Sequence, residues 1–397
     1  MFMKKVLVVV ASFFIMLCLG SVYAWSLVST ELIFNYGFSS VQSQLVFGLL
    51  IAVFPVTMIF AGKYEARIGT RNMAMLSAVF YSAGYLLSGL SNGNFWLILF
   101  GVGILTGIGT GLGYLVALTT PVRHFPEKKG LVTGISTAGF GLAAFVFSLI
   151  IERMLLDGKR ILDIFLFVAI VHGLIILFFS LFIIPPSTSN PTSLKSFTVF
   201  RFDSKFIKLF MGIFMGTFAG LLVVGNLKLI GSEHAIPNHT LVIGVSVFAI
   251  ANFTGRLSWG KLSDHFDTNV CVVVALSLQA ASVFLIGLLE LTSISYLLLS
   301  TLIGFSFGSN FVLFAKKTSL YYGVDKLGLV YPYVFLGYAI AGIAGPLSGG
   351  AIYDLFQNYD YASYMASSLS LLGALLFFKS SKRKQPDQDS CVSKILK

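Results

Sequence analysis

The sequence predicts an all-α membrane protein of twelve transmembrane helices in two pseudo-symmetric six-helix bundles, and three observations carry the prediction. The 397 residues are 56% hydrophobic and 11% charged, with a mean hydropathy of +0.89, which leaves too little polar surface to cover a soluble globule. Apolar runs of about 20 residues recur along the whole chain, the helix length that crosses about 30 Å of hydrocarbon, and strand-type alternation is absent. A short signature occurs twice, GKYEARIGTR from Gly62 to Arg71 and GKLSDHFDTN from Gly260 to Asn269, each after the second span of a set of six.

The spans are predicted at 6–29, 43–62, 72–91, 95–120, 130–151, 163–184, 205–229, 240–260, 269–290, 293–314, 327–353 and 360–379. After the sixth, PPSTSNPTSLKSFTVFRFDS is polar and rich in helix breakers, so a linker over 185–204 separates an N-terminal bundle (1–184) from a C-terminal one (205–379), with a tail over 380–397. Roughly 22 of the Lys and Arg residues fall on the side that holds both ends of the chain and about 4 on the other, while acidic residues divide evenly. The positive-inside rule therefore places both termini in the cytoplasm, at the cell membrane. The net charge of +11 is a topology signal, and basic residues scattered over short loops and a tail exclude a nucleic-acid partner. Lys4 and Lys5 before an apolar stretch ending near Ala24 imitate a secretory leader, but its removal would break the pairing of spans with basic loops, so it is read as the first span. Cys18, Cys271 and Cys391 have neither disulfide nor metal spacing.

Arg256 lies inside the apolar stretch TLVIGVSVFAIANFTGRLSWG. A guanidinium at the centre of a membrane helix costs about 2.5 to 3.5 kcal/mol on insertion scales unless a polar chamber or an anion receives it. The bland alternative is that it snorkels toward the edge marked by Asp264, about two turns on. Asn252 is one turn earlier on the same face, where it can share an anion or brace the guanidinium. The functional expectation is a guanidinium facing a wet chamber between the two halves. No cofactor is predicted: the glycine run from Gly101 to Gly113 has no preceding strand and suits close helix approach, and GRLSWGKL has Leu262 where a phosphate loop needs Ser or Thr. Gly345-Pro346 with Gly349 and Gly350 marks a helix able to bend, and the charges from Glu152 to Asp163 read as a solvated outer loop. No intramembrane acid/base pair or metal cluster supports a membrane enzyme.

The repeated loop resembles the signature G-x-x-x-D-R-x-G-R-R of the major facilitator superfamily. Gly62, Arg67, Gly69 and Arg71 match in the first copy, with Ala66 at the acidic position and Glu65 displaced by one; Gly260 and Asp264 match in the second, with His265 and Asp267 departing. GSVYAWS (Gly20–Ser26), GLGYLVALTTPVRHFPEKKGLVTGISTAGFG (Gly111–Gly141), NFTGRLSWGKLSD and GIAGPLSGG (Gly342–Gly350) are similar to the oxalate:formate antiporter family and the monocarboxylate transporters. The resemblance implies a monomeric carrier of small organic anions, with Arg256 binding the carboxylate and Tyr23 and Tyr114 at aromatic positions of the site. Trp25 and Tyr331 fall on spans that line the cavity in that fold, and Gln44 and Asn310 are read as cavity contacts or helix-to-helix bonds. Three departures matter: Asn252 replaces an Asp of the proton-linked carriers, Leu27 replaces a Lys, and the eleventh span has no Lys. One cation favours monocarboxylates over oxalate and leaves exchange and proton coupling both open. His172, in the sixth span, is the proton-coupling candidate, with packing the stronger reading because that span is peripheral in the superfamily. A carrier of another anion or of amphipathic drugs is the nearest alternative. A transport-derived sensor is a more distant one, since about 18 residues of tail are short for a signalling domain.

Overall fold

The computed structural model describes residues 2–185 and 203–378, so the tail and all but the ends of the linker lie outside the described residues. Every regular element among them is helical. The first span comprises α1 (Phe2–Leu19), a 3₁₀ turn (Gly20–Ala24) and α2 (Trp25–Tyr36); α3 (Ser40–Ile68) and α4 (Thr70–Gly89) follow. The fourth span is α5 (Phe95–Ile98), a π-helical stretch (Leu99–Thr106) and α6 (Gly107–His124), and α7 (Lys129–Leu156) and α8 (Ile161–Ser180) complete the first six. The second six are α9 (Ser204–Glu233), α10 (Asn238–His265), α11 (Thr268–Leu288), α12 (Ser293–Tyr322), α13 (Leu327–Phe356) and α14 (Asp360–Phe378). Eleven of these segments are long and apolar enough to cross a membrane. The twelfth, α4, has the length at 20 residues, but Thr, Arg, Asn, Ser and Tyr side chains lower its hydropathy. It packs against α6 and α8 and buries many of those groups.

The helices depart from the predicted spans in two ways. Several run on past the apolar stretch at the end nearest the linker: α12 continues to Tyr322 and carries Lys316 and Lys317 inside the helix. The first span, predicted as continuous, is broken at Gly20–Ala24. There the Tyr81 hydroxyl bonds Ser21 Oγ at 2.6 Å and donates to the Cys18 carbonyl at 2.9 Å, so a side chain satisfies backbone at the break, which lipid would not do. The glycines between Gly101 and Gly113 do allow close approach. A Cβ on Gly109 would press into the α4 backbone at Tyr81 and Ser77, and one on Gly111 into Phe54 and Thr57 of α3.

The two six-helix sets meet along α7 with α10 and α3 with α13. At the linker end both contacts are glycine crossings. A Cβ on Gly62 would collide with the Gly328 carbonyl, and Gly130 and Gly260 each abut the other's carbonyl. The residue offset that relates Gly62 to Gly260 also relates Gly130 to Gly328, so the two crossings are one contact repeated by the pseudo-symmetry. Gly69, at φ +86°, permits the one-residue reversal between α3 and α4.

Charges flank each crossing. Arg123 makes a bidentate pair with Glu65 at 2.6 and 2.8 Å, and Thr70 donates to the same carboxylate at 3.0 Å. The displaced acid therefore serves where Ala66 does not. Asp264 accepts from the Gly130 and Leu131 amides at the start of α7, at 2.9 and 2.8 Å, and from Lys316 Nζ at 2.6 Å. Lys316 also bonds the Ser263 carbonyl. Arg71 donates to the Leu181 carbonyl at 2.5 Å, and Arg67 lies over the Tyr64 ring, so both tie the first half to itself. Asp264→Asn removes the charge opposite a buried ammonium, a change worth about 3 to 5 kcal/mol for a buried pair. Spin labels at the exposed Lys128 and Lys261 positions should then report a second, longer distance population at the linker end; an unchanged distribution means that Asp264 does not hold the halves together.

Candidate functional site

The site is built around the middle of α10. Arg256 is 0% exposed, so the guanidinium neither snorkels to the membrane edge nor faces open water. Instead of the expected wet chamber, protein encloses the group on every side. Nε donates to Asn252 Oδ1 at 2.9 Å, the i to i−4 contact of one helix turn, and Nη1 donates to the Thr137 carbonyl of α7 at 2.8 Å. The group stacks 4.1 Å from the Phe311 ring centroid of α12. Among the described residues no carboxylate pairs with it, and Nη2 has no hydrogen-bond partner. Gly141 permits this packing: a Cβ there would lie 3.1 Å from Nε and 3.4 Å from Asn252 Oδ1.

Facing it is an aromatic wall drawn from both halves. Tyr331, Phe335 and Tyr338 recur at i, i+4 and i+7 on one face of α13, and Phe335 stacks with Tyr331 at 5.3 Å, Tyr338 at 4.7 Å and Tyr114 at 5.5 Å. Phe54 of α3 meets Tyr114, Phe140 and Phe335 at 4.9, 6.1 and 5.5 Å. The Tyr23 hydroxyl, on the 3₁₀ turn, hydrogen-bonds that of Tyr338, joining the halves across the centre. The phenols of Tyr114, Tyr23, Tyr338 and Tyr331 all lie in electrostatic range of Arg256. The hydroxyls of Tyr114 and Tyr331 are buried and face each other, and among the described residues neither reaches the length of a formed hydrogen bond.

The structure thus brings together Arg256, Asn252, Tyr23, Tyr114 and Tyr331. Trp25 stands apart, donating to the Ser43 carbonyl at 3.2 Å and stacking on Phe47 between the first two spans. Asn310 serves helix packing: it bonds Gln279 of α11 at 3.3 Å, and Gln279 in turn bonds the Gly216 carbonyl of α9 at 2.6 Å. Gln44 lies on α3 and its side chain falls outside what the structure describes. His172 packs between Tyr81 and Phe147, at 6.3 and 5.2 Å between ring centres, with Nδ1 unpartnered. Phe54, Thr137, Phe140, Phe311, Phe335 and Tyr338 were not singled out from sequence, although the i, i+4, i+7 spacing on α13 points to Phe335 and Tyr338, and the repeat offset pairs Asn252 with Phe54 and Tyr338 with Phe140.

A profile of the Major Facilitator Superfamily matches residues 7–346. The chain is 27% identical to the MFS-type transporter YhjX of Escherichia coli over 82% of each chain. It is 25% identical to the oxalate:formate antiporter of Oxalobacter formigenes, over 84% of this chain and 81% of that one. Human monocarboxylate transporter 14 is 29% identical over 37% of this chain and 29% of its own. Among solved structures, the fold is similar to the proton:xylose symporter XylE at a TM-score of 0.69 and 12% identity, covering 94% of this chain and 95% of that one. The transporter FucP in the outward conformation gives 0.64 and 16%, covering 94% and 99%. The sealed arginine, the glycine crossings and the repeated six-helix sets are thus those of a chain that belongs to the major facilitator superfamily, a multi-pass membrane transporter and not an enzyme.

Proposed function

We propose that this transporter carries small monocarboxylates, of the formate, lactate or pyruvate type, by alternating access, with Arg256 as the carboxylate anchor. The observation that carries the reading is a fully buried guanidinium with no acid beside it and one nitrogen, Nη2, left unpartnered. A carboxylate supplies the missing charge and accepts charge-assisted hydrogen bonds from a guanidinium. The hydroxyls of Tyr114 and Tyr331, which have only each other nearby, are the further donors, and the surrounding rings form an apolar wall that suits a small anion. Asn252 orients the guanidinium, and Tyr23 with Tyr338 closes the site between the halves. The relatives named for oxalate:formate antiport and monocarboxylate transport favour the same substrate class. The rocking units are the segments 1–184 and 205–379, acting within one monomer, with the linker end and both termini in the cytoplasm. In reconstituted vesicles Arg256→Gln should abolish carboxylate transport, and formate, lactate or pyruvate should compete better than oxalate. Transport surviving the substitution, or oxalate competing best, overturns the assignment.

An empty carrier must seal an uncompensated guanidinium to reset, at a cost of about 3 to 5 kcal/mol that a bound anion relieves. Exchange should accordingly outrun net movement. Uptake into vesicles preloaded with monocarboxylate should exceed uptake into anion-free vesicles by at least about tenfold, since about 1.4 kcal/mol suffices for that ratio; equal rates remove this part of the mechanism.

His172 is proposed as packing and not as a proton relay, because its ring is enclosed by Tyr81 and Phe147 and not by members of the arginine site. His172→Phe should leave the pH dependence of transport unaltered. A flattened pH profile with the rate at its optimum retained assigns His172 the proton role instead.

A further inference from the structure

A second group of buried charge lies at the linker end of the last six helices, away from Arg256. Lys205 and Lys208 occupy the first turns of α9, Lys317 is five residues from the end of α12, and Phe377 is one residue from the described end of α14. At 1.5 Å per helical residue, all four lie within about two turns of a helix end, the depth at which headgroups are expected for spans of this length. The ammoniums converge on two rings. Lys317 Nζ is 4.6 Å from the Tyr321 ring centroid and 5.8 Å from that of Phe377; Lys205 shares Tyr321 at 5.6 Å, and Lys208 shares Phe377 at 4.8 Å.

Lys317 is only 3% exposed, whereas Lys208 is half-buried and Lys205 is exposed. Among the described residues none of the three forms an ion pair or a hydrogen bond. Two acids nearby each commit one carboxylate oxygen, Oδ1, to other groups. Asp267, in electrostatic range of Lys317, accepts the Asn269 and Val270 amides at the start of α11. Asp203 accepts the Phe206 amide and the Tyr322 hydroxyl. Three like charges gathered on two rings, one of them buried, repel one another, and an anion between them removes the repulsion. The exposed side of the group opens at the bundle surface, where the available anion is a lipid phosphate.

We propose that Lys205, Lys208 and Lys317, with Tyr321 and Phe377, bind the phosphate of an anionic phospholipid in the leaflet at the linker end. Free phosphate shares the chemistry but lacks the acyl chains that hold a headgroup at this depth. The full-length protein, purified in detergent, is titrated with phosphatidylglycerol, phosphatidylcholine or sodium phosphate, with retained lipid read by native mass spectrometry and stability by thermal melting. Phosphatidylglycerol should be retained and raise the melting temperature, phosphatidylcholine and phosphate should do neither, and retention should fall by about fivefold for each lysine replaced by Gln. Lys205→Gln with Lys208→Gln is the primary variant because neither side chain is buried; Lys317→Met adds the buried position. Equal retention of the two lipids, wild-type retention by the double variant, or stabilisation reproduced by inorganic phosphate each overturns the proposal.

Discussion

The arrangement depends on one electrostatic constraint: a guanidinium that cannot give up its proton is enclosed at the centre of the bundle without a countercharge among the described residues. Everything around it limits the cost without cancelling it. Asn252 takes Nε, the Thr137 carbonyl takes Nη1 and the Phe311 face lies beneath the plane, but amide, carbonyl and π-face are dipoles and quadrupoles, so the net charge stays unpaired. Close packing at Gly141 keeps water from Nε. If this site holds an anion as proposed, it is neutral only when occupied, and occupancy is then coupled to the stability of the enclosed form.

Tyrosine at the centre extends the same logic. A phenol contributes packing area and one directed polar atom, so a ring wall can be tight and still present donors. Tyr23 and Tyr338 share one hydrogen bond across the two halves, whereas Tyr114 and Tyr331 face each other without a formed one. Tyr23 sits on the 3₁₀ turn that interrupts the first span. The break therefore places the residue that bridges the halves on a segment whose backbone is held by a side chain, Tyr81, and not by an unbroken helical ladder.

How much of this was legible in the sequence follows from what each feature depends on. Arg256 and Asn252 stood out because a cation in an apolar run and a polar residue one turn away are local facts. Eleven of the spans were legible for the same reason, since hydropathy is read within a window; α4 is the weakest by that measure. Trp25 and Asn310 lay on cavity-lining or nearby spans, but which face a side chain takes depends on neighbours distant in sequence, and those turned both toward helix packing. The broken first span was hidden because its stabilising partner is 60 residues away. The Glu65–Arg123 pair was hidden too: a one-residue displacement from the expected position looks like a lost charge until geometry shows that it reaches the same place.

The pseudo-symmetry repeats backbone contact but not chemistry, and the difference bears on how the halves separate. Gly62 with Gly328 and Gly260 with Gly130 form the same crossing twice. Glu65, Arg123 and Thr70 all belong to the first six helices, so their bonds can survive when the halves part. On the other side, Asp264 keeps Lys316 in its own half and reaches the amides of Gly130 and Leu131 in the opposite one. Arg256 follows the same plan, with Asn252 in its own half and the Thr137 carbonyl in the other. On the proposed alternating-access reading, Arg256 and Asp264 each keep a partner in their own half and give up backbone bonds to α7, one for Arg256 and two for Asp264. On that reading, opening breaks these charge-to-backbone hydrogen bonds, about 1.5 to 3 kcal/mol each, together with the Tyr23–Tyr338 bond and the ring and glycine contacts between the halves, and the proposed anion has to offset their sum.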